Sequence, residues 1–137
     1  MYDDLQARST FTFTLQDPMA DAPKRPDYSI DYIELHVNAV SGAKQFYTDA
    51  FGWNFQDWGP DYAAFSHANV DGGLTSQESS TSGAPLVILY ASTLEEAQKR
   101  VEEAGGKIVK PIFAFPGGRR FQFADPAGNE LAVWSDK

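Results

Sequence analysis

Ile30-Asp-Tyr-Ile-Glu-Leu-His-Val-Asn38 alternates apolar and polar residues, and the chain after it changes period. Ile33, Leu35 and Val37 share one face of a strand, while Tyr32, Glu34 and His36 share the other. From there Val40, Ala43, Phe46, Tyr47, Ala50 and Phe51 fall at the spacing of one helix face. Gly52 stands at the C′ position, where a left-handed residue ends a helix. Asn38 or Ser41 is placed to cap its start. The stretch predicts a strand and then a helix, with the apolar side of the strand turned toward the helix.

The same pattern occurs again. Leu86–Ala91 reads as a strand, and Thr93-Leu-Glu-Glu96 as a capping box. The helix it opens carries Leu94, Ala97, Val101 and Ala104 on one face and ends at Gly105-Gly106. A shift of 54 residues sets Tyr32 on Leu86, Val40 on Leu94, Ala43 on Ala97, Ala50 on Ala104, Gly52 on Gly106 and Phe55 on Val109. Three short strand patterns follow the first helix, at Asn54–Trp58, Tyr62–Ser66 and Val70–Thr75. Three more follow the second: Lys107–Phe115, Arg120–Ala124 and Glu130–Trp134. Asp125-Pro-Ala-Gly-Asn129 is the turn between the last two, with a side-chain acceptor, a preset φ and a glycine in order.

Each unit thus reads β-α-β-β-β, and one helix cannot cover both faces of its sheet. Two units, at about 30–76 and 85–135, predict an α+β fold. Its curved, mostly antiparallel eight-stranded sheet has the helices on the convex side and a concave side left as cavity or interface. Residues 30–137 form this single domain. Residues 1–29 stand apart: Ser9–Gln16 alternates Phe11, Phe13 and Leu15 with threonines, and Asp17–Asp27 holds three prolines. That segment reads either as a partly disordered tail or as an arm and linker able to add a strand to a sheet edge, in this chain or in a partner.

Composition narrows the function. The chain of 137 residues has no cysteine, which excludes disulfides, thiolate metal sites and cysteine nucleophiles. A net charge of −8 argues against nucleic acid or an anionic membrane as partner. No apolar run reaches the roughly 20 residues of a membrane span. Asp3 and Asp4 stand where a secretory leader would be basic, so the chain is expected to be cytoplasmic. Ten Phe, six Tyr and three Trp fit a packed core or an aromatic-lined pocket.

Glu34-Leu-His-Val37, Ala43-Lys-Gln-Phe-Tyr47, Ala50-Phe-Gly-Trp53, Leu94-Glu-Glu-Ala97, Ala104-Gly-Gly106 and Arg120-Phe-Gln-Phe-Ala-Asp-Pro-Ala-Gly-Asn129 occur in order across residues 30–135. Together they resemble the vicinal oxygen chelate superfamily of glyoxalases, bleomycin-resistance proteins, fosfomycin-resistance enzymes and extradiol dioxygenases. The resemblance implies the paired-module architecture. It also implies a divalent metal on the concave face, held by His, Glu or Gln from the first and last strand of each module. Those positions fall here at Tyr32, Leu86, Ala132 and a residue near Thr75, and none is a usual ligand. The expectation is therefore no metal site and no cofactor, with a displaced divalent metal held by His36, His67 and Glu34 as the alternative.

The concave face would instead carry Tyr32, Glu34 and His36 from the first strand, Leu86, Ile88 and Tyr90 from the fifth, and Glu130, Ala132 and Trp134 from the last. Such a surface suits a flat or hydrophobic ligand. Glu34 is the candidate catalytic residue, as a general base or the partner of a cation; the alternative is a hydrogen-bonded structural carboxylate that does no chemistry. Arg120, after the flexible Pro116-Gly-Gly118, can reach over the cavity mouth toward an anion or Glu34, or serve as surface charge. Trp53 is placed between helix and sheet, and Trp58 at a pocket rim or dimer contact. The leading expectation is a metal-independent small-molecule-binding protein that sequesters a hydrophobic or cationic ligand. A lyase, isomerase or dioxygenase-type enzyme using Glu34 or a displaced metal is the second. An interaction module whose cavity is filled by its own side chains or by the arm is the third. The resemblance also implies a homodimer, with the arm as a candidate contact.

Overall fold

The computed structural model describes residues 25–137. The expected arm strand at Ser9–Gln16 lies outside them. The elements are β1 (Ile30–His36), α1 (Val40–Phe51), β2 (Asn54–Asp57), β3 (Tyr62–Ser66), β4 (Gly72–Thr75), β5 (Leu86–Tyr90), α2 (Leu94–Glu103), β6 (Lys107–Phe115), β7 (Gly118–Ala124) and β8 (Glu130–Ser135). They build one open eight-stranded sheet in the order β2-β3-β4-β1-β5-β8-β7-β6. Only the β1–β4 and β5–β8 neighbours are parallel.

The modules meet at the centre, where β1 runs antiparallel to β5 with Tyr32 opposite Ile88 and Glu34 opposite Leu86. A 54-residue step exchanges these two pairs, so the register carries the repeat seen in the chain. It does not extend to the last strands. Glu34 lies beside Gly73, and its counterpart Ile88 lies beside Ala132. Gly73 is therefore the equivalent of Ala132, while Thr75 is the equivalent of Trp134. This corrects the assignment near Thr75. The β6–β7 hairpin is longer than β2–β3, so the offset between modules grows past the helix.

Helix α2 packs on β6, β7 and β8. Leu94 and Ala97 join Ala91, Phe121, Phe123 and Val133 in a buried cluster on the convex face. Helix α1 packs on β3 and β4 and buries only Val40. It ends where expected, at Gly52 with φ 74°, whose N–H donates to Thr48. Its start differs from expectation: Ala39 is the N-cap and no side chain caps it, so neither Asn38 nor Ser41 does so. The capping box on α2 does not close either; Thr93 makes no side-chain cap bond. Asp27 instead accepts the N–H and hydroxyl of Ser92, one residue before that cap. At the closing hairpin Asp125 accepts the N–H groups of Ala127 and Asn129, the turn its sequence predicts.

Candidate functional site

The concave face is assembled by lateral registration of strands. One row across β5, β8, β7 and β6 is Tyr90, Trp134, Arg120 and Phe113. The next, across β1, β5, β8 and β7, is Tyr32, Ile88, Ala132 and Gln122. A third holds Gly73, Glu34 and Leu86. Leu86, Ile88 and Ala132 form an apolar floor on which Tyr32 and Trp134 pack. His36 shares the strand but stands exposed at its end.

Glu34 is the centre of a closed polar network and is 5% exposed. Tyr62 donates its hydroxyl to Oε2 at 3.0 Å, and Ser79 donates to Oε1 at 2.6 Å. Arg120 reaches the same Oε1 at 3.4 Å, from β7 past β8 and β5. The Arg120 guanidinium also donates to Gln122 at 3.1 Å. Its Nε is buried without a hydrogen-bond partner among the described residues. Tyr32 and Tyr62 share a 2.8 Å hydroxyl contact. A phenol has one proton, and that of Tyr62 goes to Glu34, so Tyr32 is the donor to Tyr62. Burial raises the pKa of both phenols, and the Glu34 charge raises them further.

Gly73 explains how Tyr62 fits. A Cβ on Gly73 would overlap the Tyr62 phenol. The ring thus occupies the space where the last strand of the first module would project a side chain. Chain segment 76–85 covers the face from the other direction. Ser79 and Ser80 are buried, Gln122 donates to the Ser79 carbonyl at 3.0 Å, and Thr81 donates twice to Glu130. Gln122 also donates to Glu130 at 2.7 Å. Burial pushes the Glu130 pKa up, but the Thr81 and Gln122 donors outweigh it and the net shift is downward.

A second part of the face is aromatic. Arg25 sets its guanidinium 5.2 Å from the Trp134 ring centre and 5.7 Å from that of Tyr90. It lies 3.5 Å from Asp31, which also accepts the Trp134 indole N–H at 2.9 Å. Asp31 sits where the β1–β5 register shifts. Tyr90 donates to Asp136 at 2.7 Å, a bond that raises the Tyr90 pKa and lowers that of Asp136. A cation thus rests on two rings with two carboxylates nearby.

The expected site residues fall into two groups. Tyr32, Glu34, Leu86, Ile88, Ala132 and Arg120 converge around the Glu34 network. Tyr90 and Trp134 form the aromatic part, and His36 joins neither. Arg119 points away, pairing with Glu95 of α2 at 2.6 Å. Tyr62, Ser79, Gln122, Arg25 and Asp31 were not selected from the sequence. Gly73, two residues before Thr75, was the available signal for Tyr62, because a glycine within a strand marks a close approach. Neither of two surface hollows opens on Glu34. One of about 500 Å³ lies between α2 and the convex face at Tyr28, Leu89 and Phe123. Another of about 440 Å³ lies at the start of α1.

The positions at which the family resemblance expects metal ligands are Tyr32, Leu86, Ala132 and, by the register, Gly73. They do not form a ligand set. Nor does the alternative set assemble: His67 is exposed beside Asn54, and Glu34 is engaged by Tyr62, Ser79 and Arg120. Among the described residues no three His, Asp or Glu side chains cluster as a metal-holding group.

Comparison with known proteins gives a consistent picture. Residues 29–133 match the sequence profile of the glyoxalase/bleomycin resistance protein/dioxygenase superfamily. A Mycobacterium bovis protein named "Putative glyoxylase CFP32" is 25% identical over 127 residues, covering 82% of this chain and 48% of the relative. The chain therefore spans about half the length of the curated relatives it matches. The Mn(II)-bound glyoxalase from Novosphingobium aromaticivorans has a TM-score of 0.58 and 24% identity, covering 80% of this chain and 39% of that one. Methylmalonyl-CoA epimerase from Mycobacterium tuberculosis has a TM-score of 0.56 and 15% identity, covering 77% and 86%. At these identities the structural likeness is one of fold.

Proposed function

We propose a function from one premise: this chain belongs to the glyoxalase/bleomycin resistance protein/dioxygenase superfamily. In this reading it is a metal-independent protein that binds and sequesters a flat, cationic or hydrophobic small molecule on the Tyr90–Trp134 face. The observation that carries it is Arg25, whose guanidinium lies on both rings and beside Asp31. The chain's own cation occupies the place a ligand cation would take. Such a site combines ring quadrupoles with carboxylate charge, and in a chain of −8 the surrounding field favours a cation. The donor-poor residues at Tyr32, Gly73, Leu86 and Ala132 support independence from metal.

The test is a titration of EDTA-treated full chain with a flat acridinium monocation, read by tryptophan fluorescence. Quenching should saturate, weaken in Trp134→Phe and tighten in Arg25→Ala, which removes the internal competitor. No quenching, or binding only after Mn(II) is added, would refute the reading.

One observation favours a second reading, an acid–base lyase or isomerase. The hydroxyl of Tyr32 donates to Tyr62, which donates to Glu34, giving a proton-ordered chain ending on a carboxylate. Glu34 acts as general base in this reading once segment 76–85 withdraws Ser79 from its other oxygen. Turnover found in metal-free protein should vanish in Glu34→Gln while the fold is kept; full activity in that variant would remove Glu34 from the chemistry.

A further inference from the structure

Two guanidinium groups meet Trp134. Arg25 lies over its ring at 5.2 Å, and Arg120 is its cross-strand neighbour on β7. The two cations are held differently. The Arg25 side chain is 49% exposed, with Asp31 as its ion partner at 3.5 Å. The Arg120 side chain is only 14% exposed, and its Nη2 is shared between Glu34 at 3.4 Å and Gln122 at 3.1 Å. The rings of Phe113 and Phe115 lie beside it, their centres 5.4 Å and 6.0 Å from the guanidinium carbon.

The donors of Arg120 are unevenly used. Nη2 makes both hydrogen bonds, whereas Nε is buried with no partner among the described residues. Buried donors in folded proteins are nearly always paired, and leaving one unmade is costly. Glu34, the carboxylate beside it, already accepts from Ser79 and Tyr62. Arg25 occupies the cation seat on Tyr90 and Trp134, but a guanidinium has no acceptor to offer Nε. A simple cation in that seat would leave the same donor unmet. It would also stand next to the Arg120 charge, because residues opposite each other on neighbouring strands are about 5 Å apart at Cβ. A carboxylate on the same ligand removes both costs, since it matches the fork of N–H groups on a guanidinium edge.

We propose that the Tyr90–Trp134 face takes a zwitterion, its cation on the two rings beside Asp31 and its carboxylate on the Nε edge of Arg120. The inference rests on the reading of this face as a cation site and names the ligand class: a betaine or an N-alkylated aromatic acid. Its two charges are separated by about 5 Å, the spacing of neighbouring strands. Such a ligand has no net charge, so a chain of −8 does not repel it as it would a free carboxylate. Phe113 is the side chain that turns aside to admit the carboxylate. It is 36% exposed, lies on the edge strand β6 and follows a register shift in the β6–β7 pairing. Arg120 then determines specificity as well as pairing with Glu34.

The test is a tryptophan-fluorescence titration of the EDTA-treated full chain with N-methylacridinium, N-(3-carboxypropyl)acridinium and the primary amide of the latter. The carboxylate and the amide share size and ring cation and differ in the anion. The carboxylate probe should bind about tenfold tighter than the amide, the scale of one hydrogen bond to a charged group. Arg120→Lys keeps a charge beside Glu34 and removes the fork, so there the advantage should fall to roughly twofold or less while circular dichroism is unchanged. Equal affinities for carboxylate and amide, with N-methylacridinium still bound, would overturn the zwitterion proposal and leave the cation reading standing. An advantage that survives in Arg120→Lys would also overturn it. Failure of all three probes to bind would refute the cation reading and this inference with it. The comparison of carboxylate with amide needs no variant to fold.

Discussion

The phenol of Tyr62 stands in the space that a side chain on Gly73 would need, with its hydroxyl 3.0 Å from Glu34. The two residues are coupled by volume and by hydrogen bonding. Gly73 lies between strands β1 and β3, where its backbone cannot move aside without breaking two ladders. Gly73→Ala should therefore destabilise the chain by about 1–3 kcal/mol, the usual cost of overpacking. Tyr62→Leu added to it should recover part of that loss, giving a non-additive pair in urea denaturation. Strict additivity would show that the ring does not fill the Gly73 space.

Glu34 and Arg120 are a buried pair, their side chains 7% and 14% exposed. Removing one member of such a pair leaves the other desolvated and uncompensated. Glu34→Leu should cost about 3–5 kcal/mol in equilibrium unfolding. Glu34→Gln keeps an acceptor for Tyr62 and Ser79 and should cost less than Glu34→Leu, on the order of 1–3 kcal/mol. If the two variants were equally stable, Arg120 would not depend on the carboxylate.

The raised phenol pKa values set the alkaline limit of stability. In the unfolded chain Tyr62 ionises near its ordinary value of about 10, while in the folded protein it stays protonated well above that. The unfolded state then binds fewer protons than the native state, so stability falls as pH rises. The contribution of Tyr62 is complete below pH 10 and declines above it by up to about 1.4 kcal/mol per pH unit. Tyr62→Phe should flatten the alkaline limb of a stability–pH curve; an unchanged slope would contradict the assignment. On the acid side the sign reverses. Asp125, held low first by Asn129, and Glu130 contribute stability that is present above their ordinary values and lost as pH falls through their folded ones.

Asp31 lies behind both Arg25 and the Trp134 indole. If a cation takes the place of Arg25, Asp31→Asn should weaken binding of the acridinium probe about tenfold, near 1.4 kcal/mol, while leaving an uncharged acridine little changed. Equal loss for both ligands would show that Asp31 acts by positioning Trp134 rather than through its charge.

Much of the architecture was legible along the chain. The period change after Asn38 and its recurrence 54 residues later predicted both helices, the eight strands and the faces of β1 and β5. The glycine at position 52 marked the end of α1. What was misplaced was the counterpart of Ala132, because the longer β6–β7 hairpin breaks the constant offset. The helix caps also differed, since the side chain that satisfies the approach to α2 comes from Asp27, 65 residues away from Ser92.

Periodicity and turn chemistry determined the paired β-α-β-β-β modules, and together with the family resemblance they placed Tyr32, Glu34, Leu86, Ile88, Ala132 and Trp134 on one face. These are local properties, set by which side chains alternate and where the backbone can turn. Only the tertiary structure decided what meets Glu34. Tyr62, Ser79 and Arg120 come from 28, 45 and 86 residues away, and their meeting depends on strand order, on a segment laid across the face and on the reach of one long side chain. No period in the chain encodes such distances. They follow from how two modules share one sheet, which is why the candidate site became readable only once the sheet was assembled.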